Sequence, residues 1–414
     1  MECVDAKRLQ RPTMPGDLES KVLDDDSTSS WQVPATPLED EDLLHEILLR
    51  LPSKPSSLPR ASLVCLRWRN ILSDPQFLRR FRKHHGKPPL LGFFNGTVSS
   101  NFVPVLDTKP DCIPANRFAT PKRNSSLDHW DLLDCRHGLV VLIHQLVKIY
   151  QLGRKVFVWD PLTKEQRCLS FPAGLRKAEK DTSSSWHAAV LWADAEDGHM
   201  HGDCLSSLFK VILICRTHGQ TFACLYDSRI GVWGNISSTA TTSKVSLMRS
   251  SILIGNTIYW LLYGGDILEF DIDRQTLVVI EKPKEAHRTD CWSFQLWRTY
   301  GGSCLGLAVM LKPCIQLWKR NSNCDDVEWV LLQKIVQLEG LIPLGVSSGL
   351  KGLVMAGYDE DSNIIVVGAH YIDFMLQLES MQFSSISKGS FWCDRIHIPY
   401  RNFYTLGNSS VPCT

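Results

Sequence analysis

The 414-residue sequence has no long hydrophobic run. Its longest apolar stretch, residues 138–147, is broken by His144 and Gln145, far short of the roughly 20 residues a membrane helix needs. It also lacks an excess of either charge: 45 Lys and Arg stand against 44 Asp and Glu. No global field therefore draws the chain to nucleic acid or anionic lipid, and neither nucleic acid nor membrane is expected as a partner. The first residues, Met1-Glu2-Cys3-Val4-Asp5, lack the basic-then-apolar order of an export signal. The 14 Cys lack a repeating spacing, so reduced thiols in the cytoplasm or nucleus are expected instead of a disulfide framework. Missing too are the phosphate-cradling Gly-x-x-x-x-Gly-Lys-Ser/Thr loop and the zinc-binding His-Glu-x-x-His helix. His199-Met200-His201 with Cys204 offers ligand types at close spacing. No second ligand cluster accompanies it, and neither a metal nor any other cofactor is expected.

What is present falls into two characters. Residues 1–34 mix Pro, Ser and Asp with few apolar side chains and cannot offset their ordering entropy, so a disordered tail is expected there. From residue 35 to 86 the period is helical. Thr36 suits an N-cap, Pro37 a first helical position and Glu39 a capping box. Leu43, Leu44, Ile47, Leu48 and Leu51 then recur at helical spacing until Pro52 stops the helix. A second segment, 58–63, leads into a third, 64–72, whose Val64, Cys65, Trp68, Ile71 and Leu72 share one face. Ser73-Asp74-Pro75 introduces a basic helix over 76–85.

Residues 87–408 are short apolar runs between Gly, Asp, Asn and Pro turns, followed by a short tail at 409–414. A loose repeat runs through them: apolar strand, turn, strand ending in aromatic-Asp, polar turn, apolar strand. Trp159-Asp160, Tyr226-Asp227 and Phe270-Asp271 hold the aromatic-Asp position, and the clearest unit spans 255–280 as an antiparallel meander. Each unit is too small to bury its own faces. The fold class expected is multidomain α plus all-β: three N-terminal helices, then a large antiparallel β domain built as a β-propeller, with a pair of β-sandwiches as the alternative.

Asp42-Leu43-Leu44, Glu46-Ile47-Leu48, Leu51-Pro52, Leu63-Val64-Cys65, Arg67-Trp68-Arg69 and Leu72 form an ordered set over some 40 residues. That set resembles the F-box, by which adaptors of Skp-cullin-F-box ubiquitin ligases attach to the Skp subunit. It departs from many members in having Glu39-Asp40, with Leu38 ahead of them, where Leu-Pro is usual. The later region resembles the propeller-type associated domain of plant F-box proteins, through Cys135-Arg136-His137-Gly138-Leu139-Val140, Val158-Trp159-Asp160-Pro161-Leu162-Thr163 and Leu268-Glu269-Phe270-Asp271.

These resemblances imply a non-catalytic substrate receptor. Its partners would be a Skp-type adaptor, through it a cullin, and a protein target of unknown identity. Leu43, Leu44, Ile47, Leu48, Leu51, Pro52, Val64, Cys65 and Trp68 would bind the adaptor. Leu43, Ile47 and Pro52 would face it, while Trp68 would partly hold the bundle together. The alternatives are a propeller enzyme acting on a sugar or alcohol, and a Skp-binding scaffold without a client. Blade-connecting loops, among them 183–187, 199–207 and 322–326, are expected to carry target specificity. The basic run from Arg79 to Lys87 is expected to be a solvated helix face, because no aromatic platform accompanies it.

Overall fold

The computed structural model describes residues 38–95, 101–106, 108–119, 130–144, 154–181, 183–192, 208–246, 249–286, 290–299, 301–311, 314–322, 327–337, 353–369, 372–388 and 396–405. The chain divides at Leu44 into two compact units. Among the described residues the first contributes Leu38–Leu44, which opens a helix. The second carries every other element.

Four helices come first: α1 (Glu41–Leu49), α2 (Ser57–Ala61), α3 (Leu66–Ser73) and α4 (Pro75–His85). The described start of α1 is capped by Asp40. Asp40 Oδ1 accepts from the Leu43 amide at 3.0 Å, so a carboxylate satisfies a free N–H of the first turn. Thr36 and Pro37 lie outside the described residues. The basic helix expected over 76–85 is α4, which follows the three of the expected bundle. On α4, Asp74 caps the Phe77 amide and Pro75 stands at the first position, where no N–H is needed. The module buries Leu58, Ala61, Ile71, Leu72, Phe77 and Phe81.

The rest of the second unit is antiparallel sheet. One meander comprises Trp130–Arg136, Leu139–His144, Val156–Trp159 and Gln166–Leu169, and the next Ser185–Trp192, Phe209–Thr217, Gln220–Asp227 and Val232–Ala240. A third holds Ile252–Ile254, Thr257–Leu261, Ile267–Asp271 and Thr276–Ile280, and a fourth Phe294–Arg298, Leu305–Leu311, Cys314–Ser322 and Val327–Gln337. In a seven-stranded sheet, Val354–Asp359, Ile364–Ala369, Ile372–Gln377 and Phe383–Lys388 form a fifth meander. Its first strand meets His397–Arg401, which in turn pairs with Leu90–Asn95, flanked by Asn101–Pro104. Strands about 300 residues apart in sequence thus close one sheet. The repeated meanders and this closure are those of a β-propeller.

The repeat has a local cause. Trp159, Tyr226 and Phe270 are buried near the ends of the third strands of the first three meanders. The Asp that follows each turns the chain by accepting backbone amides: Asp160 from Leu162, Asp227 from Arg229 and Asp271 from Arg274, at 2.8–2.9 Å. His137 and Gly138, both at positive φ, make the tight turn after Trp130–Arg136. A Cβ on Gly138 would stand 2.5 Å from Asn402 Nδ2, so the second turn position requires glycine.

Residues 183–187, expected as a loop, instead run into the strand Ser185–Trp192, which is buried on both faces, so that adjacent Trp186 and His187 are both buried. The other two candidate loops, 199–207 and 322–326, fall outside the described residues except for Ser322, the last residue of its strand.

The His187 imidazole donates from Nδ1 to the Ala188 carbonyl at 3.0 Å, and burial pushes its pKa down to about 4. A group titrating lower in the folded than in the unfolded chain contributes stability above its unfolded pKa and loses it as pH falls. His187 should therefore remove about 3 kcal/mol between pH 6.5 and pH 4. His187→Gln should show that much less acid destabilisation than wild type in urea titrations at pH 7 and pH 4. Parallel pH profiles for the two proteins would refute the assignment.

Candidate functional site

The helical module presents apolar side chains to solvent in a region of defined backbone. Leu63, Val64 and Leu66 are 84%, 62% and 75% exposed, and Cys65 between them is exposed too. The turn that carries them is hydrogen-bonded. Leu63 N donates to Arg60 O at 3.1 Å, Val64 N to Ala61 O at 3.2 Å and Arg69 N to Cys65 O at 3.0 Å. Ala61 and Ser62 before the turn, and Ile71 and Leu72 beyond it, are buried. Burying a full aliphatic side chain contributes roughly 1.5–3 kcal/mol, so this ordered turn holds unrealised burial that a partner could collect.

The helix α1 sorts its apolar residues the same way. Leu43 (49% exposed) and Ile47 (41%) face solvent, whereas Leu44 and Leu48 have no exposure. Leu44 and Leu48, expected at the adaptor face, thus spend their burial within this chain. The helical period puts these two pairs on different sides of α1. Pro52 is exposed and Leu51 partly buried. Trp68, expected to hold the bundle, is partly exposed, so the full-burial condition for a loss of 3–5 kcal/mol on truncation is not met. Leu63 and Leu66 carry much of the exposed surface and were not among the expected contact residues. Their consecutive placement hid them, since a turn shows no period.

The module is fastened to the propeller within the second unit. Ser56 Oγ donates to Asp111 Oδ1 at 2.6 Å, and Lys54 Nζ stands 3.7 Å from Asp111 Oδ2. Phe81 of α4 meets Phe403 edge-on, with ring centroids 6.0 Å apart, and Lys87 Nζ donates to the Asp361 carbonyl at 3.1 Å.

Inside the propeller a charged cluster ties three meanders together. Arg136 reaches Asp134 at 3.0 Å, Glu360 at 2.7 Å and the Ser251 carbonyl at 2.9 Å. Ser251 Oγ also donates to Asp134, and the Leu253 amide donates to Glu360. Burial, partly offset by Arg136, pushes the Asp134 carboxyl up to about 6. Burial also opposes the charge of Glu360, but Arg136 outweighs it and holds that carboxyl below its ordinary range. Every charged member has a fixed opposite partner, which suits a clasp between meanders.

Among the described residues no group of three or more His, Cys, Asp or Glu is placed to hold a metal ion. Among them, too, no helix is long and apolar enough to cross a membrane. His199, His201 and Cys204 lie outside the described residues. So does Gly345-Val346-Ser347-Ser348-Gly349, which carries Gly-x-Ser-x-Gly spacing. A serine elbow needs a strand-to-helix turn on an α/β sheet, whereas the sheets before and after this stretch are antiparallel meanders.

Two family models match the sequence: "F-box domain" over residues 40–80, and "F-box protein AT5G49610-like, beta-propeller" over residues 131–352. The F-box protein At5g07610 of Arabidopsis thaliana is 23% identical over 266 residues. That alignment covers 60% of this chain and 58% of the relative, so the chain spans less than two thirds of its length. Among solved structures, the Dos1 propeller is 13% identical with a TM-score of 0.36, covering 64% of this chain and 62% of its own. A protein of unknown function from Bacteroides thetaiotaomicron is 10% identical with a TM-score of 0.38, covering 68% and 66%.

Proposed function

This chain belongs to the F-box proteins whose second domain is a β-propeller of the AT5G49610-like kind, and from that membership we propose that it is the target-recognition subunit of a Skp-cullin-F-box ubiquitin ligase. F-box proteins are generally non-catalytic adaptors, and their F-box domains generally bind a Skp subunit. The observation that most supports the reading here is the ordered, exposed turn Leu63-Val64-Cys65-Leu66. With Ile47 and Pro52 it supplies the apolar surface that docks on a Skp-type adaptor. The adaptor would link the chain to a cullin.

The mechanism is geometric. One end is held on the ligase while the propeller holds a protein target, which raises the target's effective concentration beside the ubiquitin-loaded enzyme. No residue of this chain performs chemistry, no cofactor is needed, and the complex acts in the cytoplasm or nucleus. The module spans 35–86 and the target-binding domain 87–408.

Co-purification of the full chain with a Skp-type adaptor tests the proposal, with Ile47→Asp/Val64→Asp as the comparison. Two aliphatic contacts replaced by carboxylates should weaken binding at least about 100-fold. Thermal melting should stay within a few degrees of wild type, because both side chains are exposed. Equal capture of the variant, or no capture of wild type, would end the adaptor reading.

A further inference from the structure

Residues 45–87 hold ten Lys and Arg and two acidic residues, leaving 35 against 42 in the remainder of a chain that is otherwise balanced. Within α4 this charge is sorted by side. Phe77 and Phe81 are buried, Arg79 and Lys83 are exposed on the opposite side, and Arg80 and His84 are exposed beside the buried face. Arg80 meets Glu46 at 3.4 Å. Arg79 and Lys83, four residues apart, have no acidic partner among the described residues. Basic residues in a last helical turn favour the helix dipole, which accounts for Lys83 and His84. It does not account for Arg79 in mid-helix, and like charges at this spacing cost the helix a few tenths of a kcal/mol. The stripe is not there to stabilise α4.

We propose that the Arg79–Lys83 stripe of α4 is a second docking surface, taking an acidic face of the same adaptor that the apolar turn anchors. The inference rests on the adaptor reading above. Charge complementarity selects the occupant: a uniformly basic, solvated stripe gains most from a carboxylate-rich protein surface. At exposed sites such a surface acts mainly on the rate of encounter, whereas the apolar turn sets the rate of escape. The basic run expected to be only a solvated face thus gains a steering role. The α4 helix is also held to the propeller through Phe81 and Phe403.

The test is stopped-flow association and dissociation of the full-length chain with a Skp-type adaptor at 50 and 500 mM salt. Wild type is compared with Arg79→Glu/Lys83→Glu and with the milder Arg79→Ala/Lys83→Ala. The reversal should slow association at least tenfold at 50 mM, with the alanine pair intermediate. At 500 mM, where the screening length falls to a few ångströms, the three should converge, with dissociation nearly unchanged throughout. A reversal variant that melts like wild type yet associates at the wild-type rate at 50 mM overturns the proposal. So does duplex-oligonucleotide binding lost in the reversal variant while adaptor kinetics stay unchanged, which would assign the stripe to nucleic acid. If wild type does not bind the adaptor at all, the adaptor reading fails, and this proposal with it.

Discussion

Replacing Arg136 with Met is expected to cost roughly 3–5 kcal/mol of stability, a large part of what a domain has. The guanidinium is nearly fully buried and touches Asp134, Glu360 and Ser251, from three different meanders. Methionine keeps most of the packing volume but removes the cation that pairs with both carboxylates. Asp134, which has no exposure, would then lose its ion-pair partner while Glu360 stays nearby. Both carboxyls would titrate higher in the folded variant than in the unfolded chain. Their penalty is therefore present at neutral pH and is relieved as pH falls and they take up protons. Urea denaturation at pH 7 and pH 5 reads both effects, with the variant closer to wild type at pH 5. Adding Asp134→Asn and Glu360→Gln to Arg136→Met should recover much of the loss, because desolvation is then no longer spent on unpaired charge. A single variant within 1 kcal/mol of wild type at pH 7 would mean the cluster is solvated and does not clasp the meanders.

A chain ending at residue 395 should fail to form a cooperative propeller. The strand His397–Arg401 lies between Leu90–Asn95 and Val354–Asp359, so its loss opens the sheet on both sides. Ile396, Ile398, Tyr400 and Phe403 are all buried, and Tyr400 packs with Phe94, Phe102 and Phe118. Four such side chains at roughly 1.5–3 kcal/mol each amount to about 10 kcal/mol, comparable with the whole stability of a typical domain. His397 Nε2 also meets Asp373 at 3.0 Å in a buried pair, and removing the histidine strands that carboxyl. Arg401 further pairs with Asp359 and donates to the Pro88 carbonyl at 2.8 Å, tying the strand to the start of the sheet domain. Circular dichroism and calorimetry of the shortened chain should show strand signal without a sharp melt. A cooperative melt within about 5 °C of the full chain would show that the strand only decorates a ring closed by other means.

How much of this was legible in the sequence depended on the range of the interaction. The helices and the meander around 255–280 announced themselves through local periods, and aromatic-Asp pairs marked third-strand ends because an Asp side chain turns its own backbone. The inward side of α1 was less legible. Leu43, Leu44, Ile47 and Leu48 are equally apolar, and only the packed structure separates the two that are buried from the two that are not. The turn at Leu63–Leu66 was undervalued for a related reason: four exposed residues in a row match no period. The closing strand and the partners of Arg136 were beyond local reading altogether. Arg136 and Glu360 are 224 residues apart, and no spacing rule connects them.

The closed sheet also sets an order of events during synthesis. Residues 397–401 leave the ribosome after every other described strand, so the ring cannot shut until all of those strands have been made. The helices of 41–85 emerge hundreds of residues earlier, with their apolar turn already exposed. At a few residues per second to some tens, that interval lasts from many seconds to about a minute. An adaptor that bound during it would shield the nascent module from aggregation. Phe403, which packs on Phe81 of α4, emerges more than 300 residues after that partner, so this contact too forms late.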